Sequence, residues 1–431
     1  MLDIGLALLR RRQYLPLFVT QFFGAFNDNA YKLAMLTLIS YHITHSQVAS
    51  EHYQAIAGAL FTLPFFLFSA TAGQLADKCD KSIMTRWIKA FEFILMIIGG
   101  VGLYYGYIPL LMITLTGMGV HSTFFGPIKY AILPDHLERT ELLAATALIE
   151  GSTFMAILLG TTLGTLSIGS ETPHTPVAII LTLISAIIGF VACWFIPSAP
   201  SRAPLLQVDW HLWRATKNMI SEVMKNKQVL PAIFAISWFW MIGAVMLTKL
   251  PDYIHYVLNA NAVVFAFFLS LFSIGIALGS LAISLFLDGR ITLRYVPYCM
   301  LLLSLFAYDL FWSSPGPLTE PEEMQTFLVF MMNMLHLRIS LDFFLFSFCC
   351  GLFTVPLYAY LQVCCDETSR ARTIAANNIW NALFMVLGAL LVMVLIYFKV
   401  TITVFFLVLA VMNAIATGLL FFFMFYLENQ S

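Results

Sequence analysis

Four ionisable residues stand where the surrounding sequence is almost wholly apolar. Asp28 and Lys32 lie in the run at roughly 14–43, Lys129 near the end of the run at 107–133, and Glu150 in the run at 140–168. A charge at the centre of a bilayer costs about 2.5–3.5 kcal/mol on insertion scales and is by default a functional candidate. Asp28 falls ~21 Å along a helix of 1.5 Å rise per residue, close to mid-membrane, and Lys32 shares its face four residues on. If the runs alternate in direction, Lys129, Glu150 and Asp28 converge in one half of the membrane. Together they offer both signs, and Asn27 and Asn29 add neutral hydrogen-bonding groups. Such a set can grip a molecule that is itself cationic and anionic. It can also form locks that break between two conformations, or pair permanently and only neutralise buried charge.

In the second half of the chain the polar candidates are Asn377, Asn378, Asn381 and Lys249. Asn377 and Asn381 are four residues apart and share a helix face; they either line a cavity or hydrogen-bond between helices. Lys249 precedes Pro251 and Asp252, and snorkelling to a membrane surface is the preferred reading. Glu92 is a weaker candidate that Lys89 can reach across one turn. His121 and Asp309 read as isolated packing residues.

Other chemistries find no support. The chain has 431 residues, 60% hydrophobic and 10% charged, with mean hydropathy +0.87. Soluble domains average about 25% charged residues, so a soluble enzyme, a disordered chain and a nucleic-acid binder are excluded. There is no Gly-Lys dipeptide for a phosphate-binding loop. No histidine is followed five positions later by Asp, the spacing used by glycerolipid acyltransferases. The seven cysteines form no CxxC pair, the histidines show no metal-ligand spacing, and no cofactor or metal is expected.

The elements that position these residues are apolar runs long enough to cross a bilayer, about 20 residues each. Twelve are read, at roughly 14–43, 53–76, 82–105, 107–133, 140–168, 175–197, 229–257, 261–287, 293–313, 341–365, 372–397 and 402–426. Residues 318–340 begin acidic at Glu320, Glu322 and Glu323 and turn apolar around His336 and Arg338; an interfacial helix is expected there. With the N-terminus inside, the cytoplasmic loops take nearly all the positive charge. Of 22 Lys and Arg residues only Arg338 and Lys399 fall outside, while Lys32, Lys129 and Lys249 lie within spans. That asymmetry supports the count and predicts both termini in the cytoplasm. Arg10-Arg11-Arg12 before the first run reads as the anchor of a retained first helix, not a cleaved leader.

The longest cytoplasmic connection, 198–228, holds prolines, then Trp210-His211-Leu212-Trp213 and a basic stretch. It reads as a linker with an amphipathic helix on the inner membrane surface. It divides the chain into six-helix bundles at 1–197 and 229–431. The halves echo each other: Pro127 with Pro356, Ala144-Ala145 with Ala375-Ala376, and Phe154-Met155 with Phe384-Met385, at an offset of about 230 residues. Gly102/Gly106, Gly160/Gly164 and Gly275/Gly279 have the spacing for close helix approach.

The link between the second and third runs, Gly73-Gln74-Leu75-Ala76-Asp77-Lys78-Cys79-Asp80-Lys81, resembles the major-facilitator loop signature. Gly73 permits close packing, Asp77 can cap a helix, and Lys78 and Lys81 hold the loop at the inner surface; these four are the gating candidates. The cognate Asp288-Gly289-Arg290 is a weak remnant. The fold class implied is an all-α membrane protein of twelve transmembrane helices in two pseudo-symmetric six-helix bundles, with its site between the halves. Gln21 to Asn29, Phe125 to Leu133, and Leu148 to Thr153 resemble the bacterial lysophospholipid transporter family, over the first half of the chain.

That resemblance implies a flippase moving lysophosphatidylethanolamine-type lipids across the bacterial inner membrane by alternating access, not an enzyme. It also implies phospholipid remodelling by a separate cytoplasmic acyltransferase/acyl-carrier-protein ligase. Lysophospholipid and membrane lipids would be the ligands, with Asn27, Asp28, Asn29, Lys32, Lys129, Glu150, Asn377 and Asn381 meeting the head group. The alternative is a proton-coupled transporter of a small soluble solute, with Asp28 or Glu150 as proton carrier.

Overall fold

The computed structural model describes residues 2–44, 46–169, 173–316 and 324–428. Twelve long helices account for most of them: α1 Leu15–Leu38, α2 Gln47–Lys78, α3 Lys81–Tyr105, α4 Ile108–Ala131, α5 Leu142–Ile168, α6 Thr175–Cys193, α7 Leu230–Asp252, α8 Ala262–Phe286, α9 Val296–Ser313, α10 Met334–Cys364, α11 Arg370–Tyr397 and α12 Ile402–Glu428. All but α1 are long and apolar enough to cross a membrane on composition alone. In α1 the polar run Asn27-Asp28-Asn29 with Gln21 and Lys32 lowers the mean, so the helix richest in candidate chemistry is the least typical span.

Local signals set the boundaries. Pro16, Pro109, Pro176 and Pro231 sit in the first turns of α1, α4, α6 and α7, where the missing N–H has no partner to lose. Asp80 caps α3, accepting from the Ser82 and Ile83 amides at 2.8 and 3.2 Å. Its partial burial raises the carboxyl pKa, but these bonds and the Ser82 and Ser198 hydroxyls outweigh burial and hold it at about 2. The first helix of each half ends in one π turn, Ile39–Ile43 after α1 and Tyr253–Val257 after α7. That shared irregularity is a structural echo of the sequence repeat.

Two compact units result. The first comprises 1–226 with 361–379, the second 227–360 with 380–431. In the first, α1 packs on α5 and α6, α2 on α4, and α3 on α4 and α6. Its apolar core gathers Tyr31, Met35, Leu95, Met96, Leu115 and Met118. Val177, Ile180, Ile184, Ile187 and Val191 form an exposed stripe along α6 at alternating three- and four-residue steps, the face that bilayer lipid covers. In the second unit, α7 and α9 pack on α12, and α8 meets α10 through Gly275, Gly279 and Gly351.

Two expectations change. Gly102 and Gly106 are not a packing pair: Gly106 is the left-handed cap of α3 at φ 62°, which a residue without Cβ adopts freely. The interfacial helix expected over 318–340 is a short helix Phe327–Met331, and His336 and Arg338 belong to the first turns of α10. Glu320, Glu322 and Glu323 lie outside the described residues.

Gly160 and Gly164 do let two backbones touch. A Cβ on Gly164 would stand 2.8 Å from Ala30 Cα and 2.9 Å from its carbonyl carbon. Gly164→Val is therefore expected to destabilise at the upper end of the ~1–3 kcal/mol typical of overpacking. Gly418→Ala, with no heavy atom within 4 Å of the new Cβ, should change little. Thermal unfolding of the two detergent-solubilised variants checks the contrast.

Candidate functional site

Asn27 and Asp28 are consecutive on α1 and so face different directions. Asn27 is fully buried, and its Nδ2 donates to Glu92 Oε1 at 2.9 Å. Glu92 sits on α3 one turn from Lys89, whose ammonium donates to Glu92 Oε2. Both side chains are wholly buried, and ions in such a place persist only when paired and hydrogen-bonded. From α4, His121 Nε2 stands 3.1 Å from Glu92 Oε2 and its Nδ1 3.9 Å from Asp28 Oδ1. Ser122, next on α4, donates to Asp28 Oδ2. Three helices thus bring Asn27, Asp28, Lys89, Glu92, His121 and Ser122 together.

The satisfaction of the two carboxylates differs. Glu92 receives an ammonium and an amide. Among the described residues Asp28 has one hydroxyl donor, no cation at ion-pair distance except the 3.9 Å imidazole, and an Oδ1 with no hydrogen-bond partner. Its side chain keeps 13% of its surface open where Glu92 keeps none. The arrangement leaves Asp28 as the carboxylate with bonding capacity to spare. Lys32, one turn away, lies with Nζ 5.6 Å from the centre of the Phe61 ring.

The other candidates separate. Lys129 places Nζ 4.7 Å from the Tyr130 ring and attracts Glu150, which accepts from the Tyr130 hydroxyl; among the described residues the two ions are not within ion-pair distance. Asn29 returns its amide to Ala25 O of its own helix at 2.8 Å. Asn381 accepts from Ser237 at 2.9 Å, an interhelical bond within the second unit. Asn377 is fully buried with neither amide atom bonded. Lys249 pairs with Asp252 at 2.8 Å, and Asp309 takes two bonds from Arg338 at 3.1 and 2.5 Å. Among the described residues no group of three His, Cys, Asp or Glu is placed to hold a metal ion.

The sequence reading missed His121 and ranked Glu92 low. The Lys89–Glu92 spacing is a usable signal; the role of His121 is not, because its partners lie on two other helices.

At the Gly73–Lys81 end of the first unit lies a second constellation. Asp77 accepts from the amides of Ala371 and Arg372 at 2.9 and 3.2 Å and from Arg372 Nε at 3.1 Å. It therefore caps the start of α11, where helix N–H groups lack partners. A Cβ on Gly73 would stand 2.7 Å from Ala375 Cβ and 2.9 Å from Arg372 Cα, so glycine is what allows the approach. Lys81 donates to Asp135 at 2.9 Å, and Arg202 joins the same carboxylate at 2.8 Å. Lys78 has no carboxylate within ion-pair distance among the described residues.

The segment after Arg202 is tied down as well. Asp209 donates its amide to Gln74 at 2.8 Å, and hydrogen bonds from Arg214 and the His211 amide hold its carboxyl at about 2. Helix Leu212–Lys225 buries Ala215, Met219 and Val223 on α2, while Trp210 and Trp213 stay exposed. Its apolar stripe is thus covered by protein rather than left for a membrane surface.

Replacing Asp77 by Ala removes hydrogen bonds to a charged acceptor, each worth about 1.5–3 kcal/mol. Amide hydrogen exchange at residues 371–373 is expected to rise about tenfold or more in Asp77→Ala. Unchanged exchange there would show that the cap does not hold the start of α11.

The model of the Major Facilitator Superfamily matches residues 17–337. The chain is 28% identical over 288 residues to the lysophospholipid transporter LplT of Photorhabdus laumondii subsp. laumondii, covering 65% of this chain and 67% of that protein. It is 28% identical over 231 residues to the lysophospholipid transporter LplT of Escherichia coli O1:K1 / APEC, covering 53% and 54%. This match spans about half the length of the Escherichia coli protein. Among solved structures, the Major Facilitator Superfamily transporter FucP aligns with a TM-score of 0.70 at 10% identity, over 96% of this chain and 99% of that one. The proton:xylose symporter XylE aligns with a TM-score of 0.69 at 11% identity, over 94% of each. At such identities the likeness is one of fold.

Proposed function

The chain belongs to the Major Facilitator Superfamily, and we propose that it moves lysophospholipids of the lysophosphatidylethanolamine type across the bacterial inner membrane by alternating access. Two relatives carry the name lysophospholipid transporter. The observation that carries the chemical reading is Asp28: a carboxylate at mid-helix with an unpartnered oxygen, and Lys32 one turn away on the same face. A zwitterionic head group supplies an ammonium for the first and a phosphate for the second. Lys129 adds a second cation, attracted to Glu150 but with no carboxylate at ion-pair distance among the described residues. The single acyl chain needs only apolar surface, of which the helices offer much.

The transport step supplies lysolipid to the cytoplasmic side, where the matching reaction is acyl transfer by a separate acyltransferase/acyl-carrier-protein ligase. Both termini and the Gly73–Lys81 loop are assigned to that side on the distribution of Lys and Arg.

Proteoliposomes containing the purified chain and labelled lysophosphatidylethanolamine in one leaflet test the reading. The expected result is protein-dependent movement of label that unlabelled lysolipid competes away. Movement equal to that of empty liposomes overturns it. The titratable series Asp28, His121 and Glu92 favours a second reading, proton-coupled carriage of a small soluble solute. Acidification of the lumen on adding a sugar or drug, without lysolipid movement, would select it.

A further inference from the structure

The imidazole of His121 stands between two carboxylates. Its Nε2 is 3.1 Å from Glu92 Oε2 on α3, and its Nδ1 is 3.9 Å from Asp28 Oδ1 on α1. The residue is buried, and its ring stacks on that of Phe125. A neutral imidazole carries one N–H and one lone pair, whereas an imidazolium carries two N–H groups. With a carboxylate oxygen facing each nitrogen, the neutral ring turns its lone pair on one of them. Only the imidazolium suits both.

Charge balance points the same way. Lys89 and Glu92 pair on α3 and cancel. That leaves Asp28, which has no cation within ion-pair distance among the described residues except His121. Lys32 of α1 and Lys129 of α4 attract it from further off, and Tyr31 of α1 turns its hydroxyl to Leu111 O, away from His121 along α4. α2 also packs on α4, through Phe61 and Pro64 against Gly119, and holds no ionisable residue between Gln54 and Ala76. The oxygen of Asp28 that faces His121 is the one without a hydrogen-bond partner. At 3.9 Å the ring holds it by charge and not by a hydrogen bond, so a second cation can claim it.

We propose that His121 is a proton site that the head-group ammonium empties. In the empty transporter the imidazolium neutralises Asp28. When the ammonium reaches Asp28 Oδ1, two cations share one carboxylate where little water screens them. The Nδ1–H bond then breaks, its electron pair stays on the ring, and the proton goes to water. The ring left behind is neutral and keeps its Nε2–H toward Glu92. One cation replaces another, so the site's net charge is the same before and after. The inference rests on the lysophospholipid reading above and deepens it, since lipid and proton then weaken each other's binding by the same factor.

Proton release on binding tests this. The whole chain in detergent, weakly buffered and with a pH-indicator dye, is titrated with lysophosphatidylethanolamine or with lysophosphatidylglycerol, which has no ammonium. The expected result is release approaching one proton per bound lysophosphatidylethanolamine on the acid side of neutrality, and none with lysophosphatidylglycerol. Affinity for lysophosphatidylethanolamine should fall toward ~tenfold per pH unit on acidification below about pH 6.5, where imidazoles charge. His121→Gln can still donate toward Glu92 but does not titrate. It should bind lysophosphatidylethanolamine without release and with a flat pH profile. Nitrogen NMR of histidine-labelled wild type needs no ligand: the signal missing from His121→Gln should be that of an imidazolium in the empty protein, and of a neutral ring once lysophosphatidylethanolamine saturates it.

A neutral His121 in the empty protein would overturn the proposal. Equal release by both lysolipids would overturn it as well, and release that persists in His121→Gln would place the proton on Asp28 instead. Lysolipid movement in proteoliposomes of the same preparation separates the two claims: binding and movement without proton release remove the exchange and keep the transport reading. Neither binding nor movement removes both.

Discussion

Lys89→Ala is expected to destabilise the first unit by about 3–5 kcal/mol, the cost of leaving one member of a buried ion pair uncompensated. Glu92 is fully buried and would keep only Asn27 and the His121 edge as partners. Glu92→Gln should cost less, because the amide oxygen still accepts from Lys89, although the NH2 then faces the Asn27 donor. The double variant Lys89→Met/Glu92→Leu should recover most of the loss, since matched apolar residues often replace a buried pair at little cost. A double-mutant cycle on thermal unfolding in detergent reads the coupling. If Lys89→Ala unfolds with the wild type, the pair is not what holds α3 against α1 and α4.

The fold and half of the site were legible in the sequence for separable physical reasons. Span number follows from hydrocarbon thickness, so apolar runs and loop charges suffice to count helices. The same rule nearly fails at α1, where Gln21, Asn27, Asp28, Asn29 and Lys32 depress the hydropathy of a helix that the fold nevertheless requires. Asp77 was legible because an acid before a short loop has few roles. Which helix it caps was not, since Ala371 and Arg372 lie 294 and 295 residues away.

Pairing between helices was the least legible layer. Three residues that the sequence ranks as a leading, a weaker and an isolated candidate, Glu150, Glu92 and His121, find partners unrelated to that ranking: a tyrosine hydroxyl, an ammonium and two carboxylate edges. Spacing on one helix predicts partners three or four residues away; it is silent about the rotation of the neighbouring helix. That is why Lys89–Glu92 was foreseen and Asp28–His121 was not. The glycine pairs show the same divide. Gly160/Gly164 and Gly275/Gly279 meet other backbones, whereas Gly102/Gly106, identical in spacing, ends a helix.

Asp28→Asn should behave in the opposite way to Lys89→Ala: near-native stability with lysolipid movement reduced about tenfold to a hundredfold. The amide conserves shape and still accepts from Ser122, and a carboxylate without a close cation contributes little to the folded state. What it removes is the negative charge that a ligand ammonium would meet, and a hydrogen bond to a charged group is worth about 1.5–3 kcal/mol. Lys129→Ala is expected to lower movement as well, because its ammonium feels Glu150 without an ion pair at contact distance among the described residues and can turn to a phosphate. The two variants should differ in what rescues them. A lysolipid without the ammonium should be carried by Asp28→Asn as well as by the wild type, and Lys129→Ala should discriminate against it no more than the wild type does. Transport rates measured for the two lysolipids in reconstituted wild type and variants decide the matter, with unfolding temperatures recorded alongside. Unimpaired movement in Asp28→Asn would remove the head-group contact from α1. Loss of stability in step with loss of movement would reassign Asp28 to holding the bundle together.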